Sequence, residues 1–370
     1  MIKVMHIITD SNIGGAGHHL LALASRENGI DRAAFDVEVV LPIGAKLTPL
    51  LENHGVKCVE LPHLAESSFS ARAVATLRKH MKIFAPDIVH THAVLSGRVA
   101  ARLCGKKCKI IHTRHSVFEP GRWQTRFPMR QILGAVNNFF SDAIIAVSPA
   151  AKDNLLALGV NGHKIHIIFN GMPPAREYSR DECALLRQKY NVPPDAFVLA
   201  QIARLTEVKG QDDVLAAACQ WPDDVIVLMA GDGELRPHLE ARIKNEDIKN
   251  VRLLGFVDAV EELFAIMDVQ LSASFGTEAT SLALIQGMSV GKPAVVTDYG
   301  GNPYVISDGE NGIVVPTRDP NALAAAVTRL RGDAELYAYL SKNSRECYAR
   351  KFTLQEMIKN IENLYREMKI

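Results

Sequence analysis

Short apolar runs alternate with amphipathic segments along the whole of this 370-residue chain. In the first half the runs are 2–9, 37–41, 57–61, 87–91, 109–113, 142–147 and 164–169. The first, 2–9, is nearly continuous in its hydrophobicity, the pattern of a parallel strand buried on both faces, and the others are strand candidates after it. Segments with a helical apolar period lie between them, notably 72–84, 95–103 and 122–140. A glycine and two prolines in 170–178 interrupt the alternation and read as a linker. Beyond it the pattern restarts, with strands at 197–202, 224–230, 251–254, 269–273, 293–297 and 313–315. Helical patterns cover 210–219, 234–244, 259–266, 281–290 and 321–330, and two long amphipathic segments, 334–348 and 354–368, close the chain.

Strand and helix in strict alternation predict parallel sheets covered on both faces. The fold class is therefore α/β: two tandem Rossmann-like doubly wound domains, residues 1–172 and 178–350. Such sheets bind ligands at the carboxyl ends of their strands, and a tandem pair is expected to present those ends across one cleft.

Composition changes this picture little. The length and the 48% hydrophobic content support two cores. Six scattered cysteines without a CxxC pair fit a reducing compartment and offer no zinc site. The N-terminus does not read as a signal peptide, and no run approaches the roughly 20 apolar residues of a membrane span, so a cytoplasmic protein is expected. Charge is more informative. Residues 1–172 carry 20 Lys and Arg against 12 Asp and Glu, a balance of +8, and the remainder carries 22 against 29, or −7. The positives gather in 72–82, 98–109 and 114–130. That is either an ordinary solvated surface or a face for anionic lipid or an anionic acceptor. Nucleic acid is not among the expected partners.

Three features could carry chemistry. Gly14, Gly15 and Gly17 follow the first strand and open a helix, which suits either close approach to a phosphate or a tight packed turn. Arg204 and Lys209 bracket the loop between a strand and a helix in the second half, where two cations suit a diphosphate. On the same expected edge stands Glu278, in a loop of small residues before an apolar helix of about three turns. Histidines are plentiful in the first half: His90 and His92, then His112 and His115. The spacings HxH and HxxH invite a metal reading. The two pairs end separate strands with no carboxylate cluster between them, so no metal site is expected. His115, last in its run, is the better candidate to face the cleft.

These residues, in this order, resemble the GT-B-fold retaining glycosyltransferases of family four (glycosyl transferases group 1). The motifs are the glycine loop 14–17, DIVHTH at 87–92, His115, AVSPAAKDNL at 146–155, FNGM at 169–172 and ARLTEVKG at 203–210. AGDGEL at 230–235, LGFVD at 254–258, the loop and helix 274–297, and DGENGIVVP at 308–316 complete them. The resemblance implies that Arg204 and Lys209 neutralise the diphosphate of a nucleotide-sugar donor, a UDP-sugar first, without metal or cofactor. It implies that Glu278 faces the transferred sugar, with Thr280, Ser281 and Leu282 supplying backbone N–H groups. His115 would orient the sugar, Gly15 would admit donor phosphate and acceptor, and Gly255, Phe256 and Val257 would hold the base edge. The last helix, 354–370, would return to the first domain.

Two positions depart from the family pattern. The second of two glutamates separated by seven residues, which receives the ribose hydroxyls, is here Gln286, and Tyr304 stands where the family often has Glu. The expected function is transfer of a sugar to a lipid-linked or polysaccharide acceptor in cell-envelope, capsule or exopolysaccharide synthesis, at the inner face of the cell membrane. A degenerate homologue that binds nucleotide or partner without transfer, a sugar-nucleotide epimerase and a pyridoxal-phosphate phosphorylase of the same architecture are the alternatives.

Overall fold

The computed structural model describes residues 1–10, 14–64, 68–92, 94–105 and 108–369. The chain divides into two compact units, 1–172 with 353–370, and 173–352. In the first unit the elements are β1 (Ile2–Ile8), α1 (Gly15–Ala24), β2 (Phe35–Pro42), α2 (Leu47–Asn53), β3 (Lys57–Leu61), α3 (Ala71–Phe84), β4 (Ile88–His92), α4 (Leu95–Arg102), β5 (Lys109–Arg114), α5 (Met129–Phe139), β6 (Ala143–Ala146), α6 (Pro149–Ala157) and β7 (Ile165–Ile167). The sheet runs β3-β2-β1-β4-β5-β6-β7, parallel throughout. Its order reverses between β1 and β4, which makes the loop after β1 and the end of β4 the switch point where such sheets bind ligands.

The second unit holds α7 (Arg180–Lys189), β8 (Phe197–Ile202), α8 (Gln211–Ala218), β9 (Val225–Ala230), α9 (Arg236–Asn245), β10 (Val251–Gly255), α10 (Val260–Ile266), β11 (Val269–Ser272), α11 (Leu282–Ser289), β12 (Ala294–Thr297), α12 (Asn302–Val305), β13 (Gly312–Val315), α13 (Pro320–Gly332) and α14 (Ala334–Lys351). Its parallel sheet runs β10-β9-β8-β11-β12-β13. The final helix, α15 (Leu354–Lys369), belongs to the first unit: Leu354, Met357, Ile358, Ile361, Leu364 and Tyr365 share one apolar cluster with Val4 and Ile8 of β1.

The two-residue period of the strands decides each core. Val4 and Ile8 face the cluster that includes α1 and α15, and Met5 and Ile7 face the one that includes α3 and α4. In the second sheet Leu199 points one way, Val198 and Ala200 the other.

Several helices differ from expectation. Residues 122–128 are not helical, and α5 begins only at Met129, after Pro128, whose ring disfavours helical backbone in the residue before it. α7 has no fully buried residue, and only Cys183 and Leu186 pack, partly buried, against the core. It is announced by a capping box instead, in which Ser179 Oγ accepts from Glu182 N–H and the Glu182 carboxylate accepts from Ser179 N–H. α11 spans eight residues, nearer two turns than three. Among the described residues no helix is long and apolar enough to cross a membrane.

Candidate functional site

In the second unit, neighbouring strands deliver four loops to one edge. The loop after β8 bends back through a 3-10 turn at Glu207–Lys209 and closes on Gly210, at φ +69°. A Cβ there would stand 2.1 Å from the Ala273 carbonyl oxygen, so glycine lets this loop press against the end of β11. Phe275 N–H donates to Val208 O at 3.0 Å across the same seam. The contact brings Lys209 Nζ to 2.6 Å from Glu278 Oε2, with side chains only 13% and 10% exposed. Ser274 Oγ donates to the same carboxylate oxygen at 3.3 Å. Thr277, just before Glu278, has φ +53°, a strained backbone for a β-branched residue, of order 1–3 kcal/mol. Gly301 N–H donates to Glu278 O and holds the loop from its other side.

Arg204 is exposed and, among the described residues, unpaired; its carbonyl is held by Gln211 Nε2 at 2.9 Å. Its loop is tied to the loop after β9, where Leu205 N–H donates to Asp232 O and Leu235 N–H to Leu205 O. Gly231 N–H donates to Gly255 O at 2.7 Å, so the end of β10 joins the same edge. There Gly255 has φ +72°, Phe256 is exposed and Val257 half-buried. Ser281 Oγ caps α11 by accepting from Leu284 N–H, which leaves the N–H groups of Leu282 and Ala283 without an intrahelical acceptor. Thr280 is buried, and Gln286 is half-buried one turn into α11.

In the first unit Gly14 caps α1, and a Cβ added at Gly15 would meet nothing within 4 Å among the described residues. The histidines come closer together than their spacing in the sequence suggests. β1 pairs with β4, setting His6 beside His90, and β4 pairs with β5, setting His92 beside Thr113. Strand periodicity then turns His6, His90, His92 and His115 to the face that α1 and α15 cover, where His19 joins them. His115 Nε2 lies 2.9 Å from His92 Nδ1, His92 Nε2 lies 3.1 Å from His6 Nδ1, and Tyr365 OH is 2.5 Å from His90 Nδ1. His90 Nε2 meets Thr113 Oγ1 at 2.6 Å, and His19 donates from Nδ1 to Asn170 Oδ1 at 2.9 Å. Burial holds all five imidazoles neutral near pH 7, with His6 lowered to about 3, His19 to about 4 and the others well below the usual value.

The separation on which the expectation of no metal rested is therefore absent: two three-histidine sets, His6/His90/His92 and His19/His92/His115, each place a ring nitrogen from every member within 4.8 Å. His112 faces away, beside Thr91. His6, His19 and Asn170 were missed as cluster members because only strand order and helix placement bring them in.

Part of the basic sequence is also structural. Arg98 is buried against Asn137 and Ser141, Arg102 pairs with Asp142, and Arg114 reaches Asn154. Lys106 and Lys107 lie outside the described residues. What remains on the surface around α5 is Arg122, Arg126 and Arg130, together with Trp123 at 62% exposure, Phe127 at 82% and Ile132 at 50%.

The comparisons with known proteins agree with this geometry. The family model for Glycosyltransferase Family 4 matches residues 13–176, and that for Glycosyl transferases group 1 matches 184–347. The UDP-Gal:alpha-D-GlcNAc-diphosphoundecaprenol alpha-1,3-galactosyltransferase of Escherichia coli is 26% identical over 352 residues, 90% of this chain and 89% of its own. The N-acetyl-alpha-D-glucosaminyl L-malate synthase of Bacillus anthracis is also 26% identical, over 76% of this chain and 75% of its own. The crystal structure of Anabaena Alr3699/HepE in complex with UDP-glucose superposes with a TM-score of 0.85 at 20% identity, covering 99% of this chain and all of that one. With one model on each half and GT-B neighbours along the full length, the chain belongs to the GT-B-fold glycosyltransferases of group 1 and family 4.

Proposed function

We propose that the chain is a retaining enzyme that moves a sugar from a UDP-sugar to a lipid-linked or polysaccharide acceptor of the cell envelope. The observation that carries the donor half is the 2.6 Å pairing of Lys209 with Glu278 just before the N-terminus of α11, with the exposed Arg204 in the same loop as Lys209. Cations and helix N–H groups suit a diphosphate; a carboxylate suits sugar hydroxyls. In this reading the arriving diphosphate draws Lys209 away from Glu278, and the released carboxylate takes up the sugar hydroxyls. Arg204 and Lys209 supply the charge that a metal supplies elsewhere, Gly255–Val257 hold the base by their main chain, and Gln286 receives the ribose.

The bond from the sugar's anomeric carbon to the diphosphate oxygen breaks as the acceptor oxygen bonds to that carbon on the same face. The acceptor proton passes to the departing diphosphate. Catalysis then rests on positioning and electrostatics rather than on a covalent enzyme intermediate. UDP is the favoured nucleotide because the Anabaena neighbour binds UDP-glucose and the E. coli relative is named for UDP-Gal. That relative's name also carries a diphosphoundecaprenol acceptor, and the exposed arginines and aromatics around α5 suit an anionic lipid surface.

Gln286 favours one other reading, a homologue that binds nucleotide without transfer. Incubation with UDP-, GDP- and ADP-sugars and lipid-linked acceptors separates the two. Release of nucleotide with an anomerically retained product supports the transferase; tight nucleotide binding with no turnover across the panel supports the other.

A further inference from the structure

The histidine cluster belongs to the first unit, and Arg204, Lys209 and Glu278, assigned to the donor, belong to the second. We propose that His19, His92 and His115 bind a divalent transition-metal ion of the zinc type, with a fourth coordination position left open.

The argument begins with lone pairs. His6 and His90 spend both ring nitrogens inside the protein: His6 on His92 and Tyr365, His90 on Tyr365 and Thr113. His90 is thus held at both nitrogens by Tyr365 and Thr113, groups outside either set, and cannot complete the set His6/His90/His92. His19 differs. Its Nδ1–H is given to Asn170 Oδ1, which fixes the tautomer and leaves a bare lone pair on Nε2. That Nε2 is fully buried and has no hydrogen-bond partner among the described residues, a lone pair of the kind that native interiors rarely leave unused.

The other two ligands are already close. His92 Nδ1 and His115 Nε2 are 2.9 Å apart, and one nitrogen from each of the three residues falls within 4.8 Å of the others. Zinc–nitrogen bonds of about 2.0–2.1 Å in a tetrahedral shell set ligand nitrogens about 3.3 Å apart, so an ion takes the place of the His92–His115 hydrogen bond when those two nitrogens part by a few tenths of an ångström and His19 closes in from within 4.8 Å. The outer partners that metal-bound histidines need are present: Asn170 Oδ1 behind His19, and His6 Nδ1 behind His92 Nε2. Three imidazoles without carboxylate or thiolate select zinc, cobalt, nickel or copper over magnesium and calcium. His115 is only half-buried and provides the way in.

The test uses the full chain without a polyhistidine tag, stripped with chelator and desalted. Zinc is added and the protein gel-filtered before metal analysis; in parallel, cobalt is titrated and its visible absorption recorded. The site predicts one ion per chain, a four-coordinate cobalt spectrum that zinc abolishes, and an X-ray absorption pattern with three imidazoles. His19→Gln and His115→Ala should each weaken binding at least 10-fold, and Asn170→Ala about 10-fold to 100-fold through the lost outer hydrogen bond. His163→Ala, an exposed histidine of the same unit, should leave it unchanged. A stripped wild-type chain that retains no stoichiometric zinc overturns the proposal. So does binding that persists in His19→Gln and His115→Ala, or a metal shell without three imidazoles; this last measurement needs no variant to fold. None of these readouts depends on sugar transfer, so the donor reading is tested separately.

Discussion

Lys209 Nζ and Glu278 Oε2 meet at 2.6 Å although their residues stand 69 positions apart, and both side chains are almost entirely withdrawn from water. Two groups expected to contact different parts of a donor are thus each other's counter-ion in the free chain. Removing one strands the other, buried and charged, which typically costs 3–5 kcal/mol. Lys209→Met and Glu278→Gln should therefore each lower the stability of the second unit by about 3 kcal/mol. The double variant should lose clearly less than the sum. Urea denaturation of the four proteins in a double-mutant cycle measures this, and additive losses would mean that the pair contributes nothing as a pair.

Glycine substitutions separate packing from ligand contact. Gly210→Ala places a methyl 2.1 Å from a carbonyl at a left-handed φ, so it should destabilise by more than 1 kcal/mol and part the Lys209 loop from Glu278. Gly15→Ala meets open space among the described residues at the first position of α1, so its stability should stay within the range of an ordinary surface change, about 0.5 kcal/mol. A loss of transfer activity in Gly15→Ala at unchanged stability would assign that open space to substrate. Unchanged activity would make Gly15 a feature of the turn alone.

Much of this was legible before any coordinates. Every strand lies within a residue or two of its predicted run; the central ones do so because a strand buried on both faces needs a nearly continuous apolar sequence, whereas the edge strand β3, KCVEL, with no buried residue, follows from its place in the alternation. Arg204, Lys209 and Glu278 could be gathered on one edge because parallel strands all end there. The histidine cluster could not be read, since it depends on β1 lying between β2 and β4 and on α1 bringing His19 over the sheet. The inward turn of Arg98 and Arg114 was hidden for a related reason: a charge count does not show which cations find buried amide partners.

The face around α5 predicts lipid binding that charge and aromatic anchors share. Trp123→Ser with Phe127→Ser should weaken sedimentation with phosphatidylglycerol vesicles at all salt concentrations. Arg122→Gln with Arg126→Gln should weaken it chiefly at low salt, where attraction is least screened. Vesicle binding indifferent to both pairs would place membrane contact, if any, elsewhere.

Gln286 sits half-buried on α11, where a carboxylate would accept ribose hydroxyls more strongly than an amide does. Gln286→Glu should tighten donor binding by about 1 kcal/mol, roughly 5-fold, in calorimetric titration. Unchanged or weaker binding would remove this residue from the ribose.

The account stands most directly on whether the edge built by β8 and β11 holds a nucleoside diphosphate. Arg204 is exposed and unpaired among the described residues, so Arg204→Ala should fold as the wild type does. The decisive measurement is the thermal stabilisation of both proteins by UDP. At a concentration about 100 times its dissociation constant, UDP should add about 2.7 kcal/mol to the wild type. The same concentration should add far less to Arg204→Ala. Equal stabilisation of the two proteins, or none of the wild type by any nucleoside diphosphate, would contradict the donor site described here.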